Sequence, residues 1–159
     1  RFDRQPLAVL FSPVNHWRIH AYAEVVQVEF DPAVISYEKV LEAFWAMHDP
    51  TTLNRQGNDA GTQYRSGIYF STPEHQAIAN AFIQDVTQQA VFNRPIVTEV
   101  LPLHYYVPAE DYHQDYLQKY PAGYTCHFVW PQWTLPARNG ETLTSADVTG
   151  GAMRAFHLA

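Results

Sequence analysis

One cysteine, Cys126, two lysines, Lys39 and Lys119, and no long apolar run: these scarcities narrow the chain before any motif is read. A single thiol excludes an internal disulfide and fits a reducing compartment, so the cytoplasm is the expected location. With lysine scarce and a formal charge of −6, the chain offers little to nucleic acid or to an anionic membrane surface. No segment approaches the ~18 apolar residues of a membrane span, and no basic, apolar, small-residue signal region is read at its start. The eight histidines are scattered. Glu110 and His113 share a helical spacing, but no second cysteine is present to complete a usual zinc set, so no metal is expected.

What is present is enough for one domain. The 159 residues are 47% hydrophobic and 14% aromatic, which argues against disorder and for a real core. Leu7 to Phe11 reads as a short strand closed by Ser12-Pro13. From Tyr22 to Phe30 the chain alternates, with Tyr22, Glu24, Val26, Val28 and Phe30 on one side, and Asp31-Pro32 ends that strand. Glu24 therefore stands in register with the apolar side, either at a wet end or held in a pocket. Tyr37, Val40, Leu41, Phe44, Trp45 and His48 recur at helical spacing behind the capping candidate Ser36, and Asp49-Pro50 stops that helix. A strand follows at 67–70. A helix to about Gln89 opens with Ser71, Thr72 and Pro73, its buried stripe read as Ile78, Phe82 and Val86. Val97 to Leu103 reads as a strand and Ala109 to Tyr120 as a short helix. Residues 137–159 are polar and small and are expected to pack poorly, leaving 1–136 as the domain. The irregular order of strands and helices favours α+β, a two-layer sandwich.

Between the first helix and the strand at 67–70 lies the most informative stretch, His48-Asp49-Pro50-Thr51-Thr52-Leu53-Asn54-Arg55-Gln56-Gly57-Asn58-Asp59-Ala60-Gly61-Thr62-Gln63-Tyr64-Arg65-Ser66. It holds one aliphatic larger than alanine, Leu53, and cannot pack a core by itself. Its polar groups must be satisfied by one another, by solvent or by a ligand, and such connections are where functional residues concentrate.

This loop closely resembles a hallmark of the A-type peptide methionine sulfoxide reductases. Two more blocks are similar to that family, in its order. Ala23-Glu24-Val25-Val26-Gln27-Val28-Glu29-Phe30-Asp31-Pro32 resembles one of its strands. Ala109-Glu110-Asp111-Tyr112-His113-Gln114-Asp115-Tyr116-Leu117-Gln118-Lys119-Tyr120-Pro121-Ala122-Gly123-Tyr124-Thr125-Cys126-His127-Phe128 resembles its C-terminal block. Together the matches span 22–135. The resemblance implies a ferredoxin-like core, with its first strand and helix missing or replaced here. The family's nucleophile lies in a Gly-Cys-Phe-Trp stretch near the N-terminus, and nothing in residues 1–21 resembles it. Cys126 matches the position of the resolving cysteine. The chain thus looks like the family's scaffold without its N-terminal catalytic segment, truncated or diverged, and is expected to be inactive as written.

Reducing a sulfoxide needs a thiolate to attack sulfur while the oxygen is protonated or strongly hydrogen-bonded. A carboxylic acid on an apolar face tends to keep its proton because desolvation penalises the charged form. Glu24 suits that donor role, and the resemblance assigns it there. The resemblance also makes Tyr64 a phenol donor to the sulfoxide oxygen and Asp59 a supporting acid acting through water. Trp17 is a candidate pocket wall or, equally, a filler of the space left by the missing segment. The implied substrate is methionine sulfoxide, in oxidised proteins or free, with thioredoxin as reductant and no cofactor. The alternative is a non-catalytic methionine-sulfoxide-binding protein that keeps Glu24, Asp59 and Tyr64 without the chemistry.

Overall fold

Ser36 and Thr72 decide where the two long helices begin. Ser36 Oγ accepts the Lys39 N–H at 3.2 Å and opens α1, Tyr37–Met47. Thr72 Oγ1 accepts the His75 N–H at 3.2 Å and opens α2, Pro73–Gln88, with Pro73 at its first position. Each cap satisfies an amide that has no acceptor within its own helix, and proline costs nothing where no such bond exists. The computed structural model describes residues 5–8, 23–104, 110–112, 116–123 and 153–156.

The strands fall into three groups. β1, Gln5–Ala8, and β7, Met153–Phe156, flank β2, Gln27–Phe30, in an antiparallel sheet ordered β1-β2-β7. β3, Arg55–Gln56, and β4, Asp59–Ala60, form a hairpin. β5, Gly67–Phe70, and β6, Glu99–Pro102, pair in parallel, with α2 as the crossover between them, as a parallel pair requires. A short α3 lies at Tyr116–Lys119. Helices packed against a mixture of antiparallel and parallel strands make the fold α+β, as expected.

The main core gathers Phe30 from β2, Val40, Leu41 and Trp45 from α1, Ile68 from β5, and Ala79, Phe82 and Val86 from α2. Ile68 and Tyr69 are adjacent in β5 and so face opposite ways. Tyr69 packs on Ala23, with Val25 and Leu103 around them, in a second cluster. β5 is thereby buried on both faces, the usual condition of a parallel strand. Gly67 is required by that packing, since a Cβ there would come within 2.9 Å of the Tyr69 ring.

Three expectations are adjusted. The first strand is Gln5–Ala8, which starts two residues earlier than expected and takes in Leu7 and Ala8; residues 9–11 of the expected segment lie outside the described residues. The long strand from Tyr22 shrinks to Gln27–Phe30, because the Glu24 N–H is spent on the loop rather than on a neighbouring strand. Within the tail expected to pack poorly, Met153–Phe156 pair with β2 from Phe30↔Met153 to Gln27↔Phe156. Ladder bonds are made by backbone, so a weakly patterned segment can still form them.

At the starts of α1 and α2 the Tyr37 and His75 rings lie 4.3 Å apart. Both are buried, and neither Tyr37 Oη nor His75 Nδ1 has a partner among the described residues. Burial pushes the Tyr37 phenol above its ordinary value and the His75 imidazole below 6.5, the neighbouring Glu74 opposing the latter. With its folded pKa lowered, His75 contributes stability that is fully present above about pH 6.5 and is lost as the pH falls toward the folded value. Urea midpoints measured from neutral to acid pH should therefore fall more steeply for the native chain than for His75→Phe. Parallel curves would show that His75 does not carry the effect.

Candidate functional site

The stretch from His48 to Ser66 is built mainly on its own polar groups. His48 ends α1 and is buried. Its Nδ1 lies 2.6 Å from the Phe44 carbonyl, which can only accept, so Nδ1 carries the proton. In the neutral ring Nε2 then accepts from Ser66 Oγ at 2.8 Å, and Ser66 Oγ accepts from Thr98 Oγ1 at 2.7 Å. This chain of bonds ties the end of α1 to the start of β5 and to the segment before β6.

Next, Asp49 Oδ1 accepts from Thr51 N–H at 2.9 Å and from Thr51 Oγ1 at 2.6 Å, a side-chain-closed turn. The Pro50 carbonyl accepts the Val97 N–H at 2.8 Å. β3 and β4 are joined by Gly57-Asn58, Gly57 at φ 56, as the first position of a two-residue hairpin turn of this kind requires. The Gly61 N–H closes the hairpin's base on the Asn54 carbonyl at 2.9 Å. Gly61 has φ 151, and a Cβ there would strike the Gln63 side chain.

A 3-10 turn at Thr62–Tyr64 follows and carries Tyr64. Arg65 braces it. Its Nη1 donates to the Thr62 carbonyl at 2.7 Å and its Nε to Glu99 Oε2 at 3.3 Å. The exposed Arg65–Glu99 pair adds little stability by itself; its value is geometric. Burial holds the Tyr69 phenol above its ordinary value of 10, and the nearby Arg65 pulls it partly back.

Of the expected site residues, Glu24, Asp59 and Tyr64 lie among the described residues and all three are half-buried. The Glu24 N–H donates to the Gln63 carbonyl at 2.8 Å. The acid-bearing segment is thus fastened to the turn that carries Tyr64, one residue away. Asp59 lies in β4, and β3 and β4 both pack against that turn. Trp17 and Cys126 lie outside the described residues, as does His113. Among the described residues no group of three or more His, Cys, Asp or Glu is placed to hold a metal ion, and no helix is long and apolar enough to cross a membrane.

Sequence reasoning missed the hairpin inside the loop and, with it, Gln56. That residue is buried and bonds the Asp49 peptide at both ends of its amide. The Gly57-Asn58 pair was the available signal, since a two-residue glycine-containing turn is a hairpin mark. Four residues of flanking strand are too few to show alternation.

The model of the peptide methionine sulfoxide reductase family matches residues 16–139. The peptide methionine sulfoxide reductase MsrA 1 of Mesorhizobium japonicum is 53% identical over 117 residues, 74% of this chain and 68% of that protein. The MsrA of Mycobacterium tuberculosis H37Rv is 48% identical over 138 residues, 86% of this chain and 76% of that protein. Among solved structures, reduced Mxr1 of Saccharomyces cerevisiae is 36% identical with a TM-score of 0.63, over 73% of this chain and 61% of that one, so the match spans under two thirds of the yeast protein. Methionine sulfoxide reductase A of Corynebacterium diphtheriae is 33% identical with a TM-score of 0.55, over 76% of this chain and 68% of that one. Sequence and fold agree: the chain belongs to the peptide methionine sulfoxide reductase family.

Proposed function

We propose that this chain carries the oxygen-recognising half of a methionine sulfoxide reductase site, built from Glu24, Tyr64 and Asp59. The observation that supports it most is the 2.8 Å bond from the Glu24 N–H to the Gln63 carbonyl, which fastens the acid to the Tyr64 turn. Protonated Glu24 and the Tyr64 hydroxyl donate to the sulfoxide oxygen, whose basicity grows as the S–O bond lengthens. Asp59 supports them from β4 through water.

The reaction this site serves is a two-electron reduction. A thiolate attacks sulfur, the S–O bond breaks, and the oxygen leaves on the attacking sulfur as a sulfenic acid, with methionine released. A second thiol condenses with the sulfenic acid, giving a disulfide and water, and thioredoxin returns the disulfide to two thiols. Within residues 1–159 the sole thiol is Cys126, and no Gly-Cys-Phe-Trp stretch occurs. Cys126 takes the resolving role, in oxidised proteins or with free methionine sulfoxide alike, and thiol chemistry of this kind suits the cytoplasm.

That single thiol also favours a second reading, a methionine-sulfoxide-binding protein without turnover. Both readings require the oxygen site. Because no Gly-Cys-Phe-Trp stretch occurs within residues 1–159 to cradle the methyl group, binding by this chain should be weak and rest on polar contacts that discriminate little over water. Titration of N-acetyl-methionine sulfoxide into the chain, followed by NMR, should move the Glu24, Gln63 and Tyr64 amides, and Glu24→Gln should weaken binding. Tight binding indifferent to Glu24→Gln would contradict the assignment.

A further inference from the structure

We propose that Gln56 is a positioning residue, which holds Asp59 toward the sulfoxide site by clasping the Asp49 peptide with both ends of its side-chain amide. The inference rests on the reading of Asp59 given above. Gln56 Oε1 accepts the Asp49 N–H at 3.0 Å, and Gln56 Nε2 donates to the Asp49 carbonyl at 2.9 Å. Asp49 is a firm anchor. It follows α1 directly, and the next residue, Pro50, has a fully buried side chain.

The hairpin needs such an anchor. A ladder of two residues a side is not stable alone in water. Gln56 and Asp59 are directly opposed across it, as are Arg55 and Ala60. Opposed residues project from the same face. Burial agrees, with Gln56 buried and Asp59 half-buried while Arg55 and Ala60 are exposed. The clasp therefore fixes which face of the hairpin turns inward, and Asp59 rides on that face.

The chemistry demands a primary amide of this length. Glutamate keeps the length and the acceptor for the Asp49 N–H, but sets a second carboxylate oxygen against the Asp49 carbonyl, where a donor is needed. Once protonated, a glutamic acid again offers one acceptor and one donor. Gln56→Glu should thus open the clasp near neutral pH and close it again in acid. The other charged and titratable groups around the clasp are Asp49 itself, His48 before it, Arg55 beside Gln56 and Asp59 opposite. The native chain carries all of them and provides the reference titration.

The test follows backbone amides by NMR in the native chain and in Gln56→Glu. Near neutral pH the variant should shift the amides of Asn58, Asp59, Gly61 and Tyr64, leaving those of Leu41 in α1 and Phe82 in α2 unchanged. As the pH falls through the glutamic acid range of about 4–5, the loop amides should return to native positions. Near neutral pH, N-acetyl-methionine sulfoxide should bind the variant about tenfold more weakly, the effect of displacing one hydrogen-bonding group. Loop amides that do not move, or that move without returning in acid, overturn the clasp. If they move and return while sulfoxide binds variant and native chain equally, the positioning role is overturned. If the native chain binds no sulfoxide, the reading of the pocket fails, and the clasp is decided by the amide shifts alone. Should Gln56→Glu fail to fold near neutral pH, Gln56→Met, which removes both bonds without adding charge, takes its place: it should show the same loop shifts with no acid recovery, and native loop positions in that variant overturn the clasp.

Discussion

Incubated with methionine sulfoxide and a thioredoxin recycling system, the purified 159-residue chain is expected to show no sustained turnover, and Cys126→Ser to remove any stoichiometric reduction that remains. Attack on sulfur requires the thiolate within about 3–3.5 Å of its target, aligned with the departing oxygen. In the function proposed above, Cys126 takes the resolving role and meets a sulfenic acid rather than a sulfoxide. Even a successful attack would strand the chain. A sulfenic acid on Cys126 has no second thiol within residues 1–159 with which to close a disulfide, so recycling would need an external thiol to attack it directly. Each chain should therefore release at most one methionine, and the burst should vanish in Cys126→Ser. Many turnovers per chain would show that this assignment of Cys126 is wrong.

Phe82→Ala should lower stability by about 3–5 kcal/mol, a large part of the roughly 5–15 kcal/mol that holds a typical domain together. Phe82 is fully buried, and its ring lies 5.9 Å from that of Trp45 at an interplanar angle of 13°. It joins α2 to α1 where Ile68 of β5 and Phe92 also meet. Truncation removes the ring's transfer free energy and leaves a cavity that Trp45, itself in contact with Phe92 and His48, has little room to fill. Because α1 leads directly into the loop of the site, the loss should spread to the site at moderate urea concentrations. Gln84→Ala, on the exposed face of the same helix, should change stability by no more than about 0.5 kcal/mol. A loss at Phe82 below about 1 kcal/mol would mean that α1 and α2 do not share one core.

Both long helices could be read from the chain because their signals are local. A serine or threonine stands at each start, Pro73 opens the second, and Asp49-Pro50 ends the first. The buried stripe of α2 was read less well. It runs through His75, Ala79, Phe82 and Val86, with Ile78 only partly buried at its border. Hydrophobicity named Ile78 and passed over a histidine and an alanine, yet spacing places both on the stripe. The sheet was harder still. No pattern in residues 22–30 says that the Glu24 amide will bond a loop carbonyl, and nothing in the polar tail marks Met153–Phe156 as a partner of β2. Those pairings are tertiary choices between backbone groups. For the site, the resemblance supplied Glu24, Asp59 and Tyr64 as names, while the structure supplied the connections among their segments. Gln56 illustrates the limit. Its role depends on a hairpin two residues long on each side, too short to leave a period in the sequence.

A crystal of the chain soaked with N-acetyl-methionine sulfoxide would show the oxygen site in use. The sulfoxide oxygen should lie within hydrogen-bond distance, about 2.5–3.0 Å, of both the Glu24 carboxyl and the Tyr64 hydroxyl, with Asp59 reaching it through water. A sulfoxide bound elsewhere, or Glu24 and Tyr64 too far apart to share one oxygen atom, would contradict it.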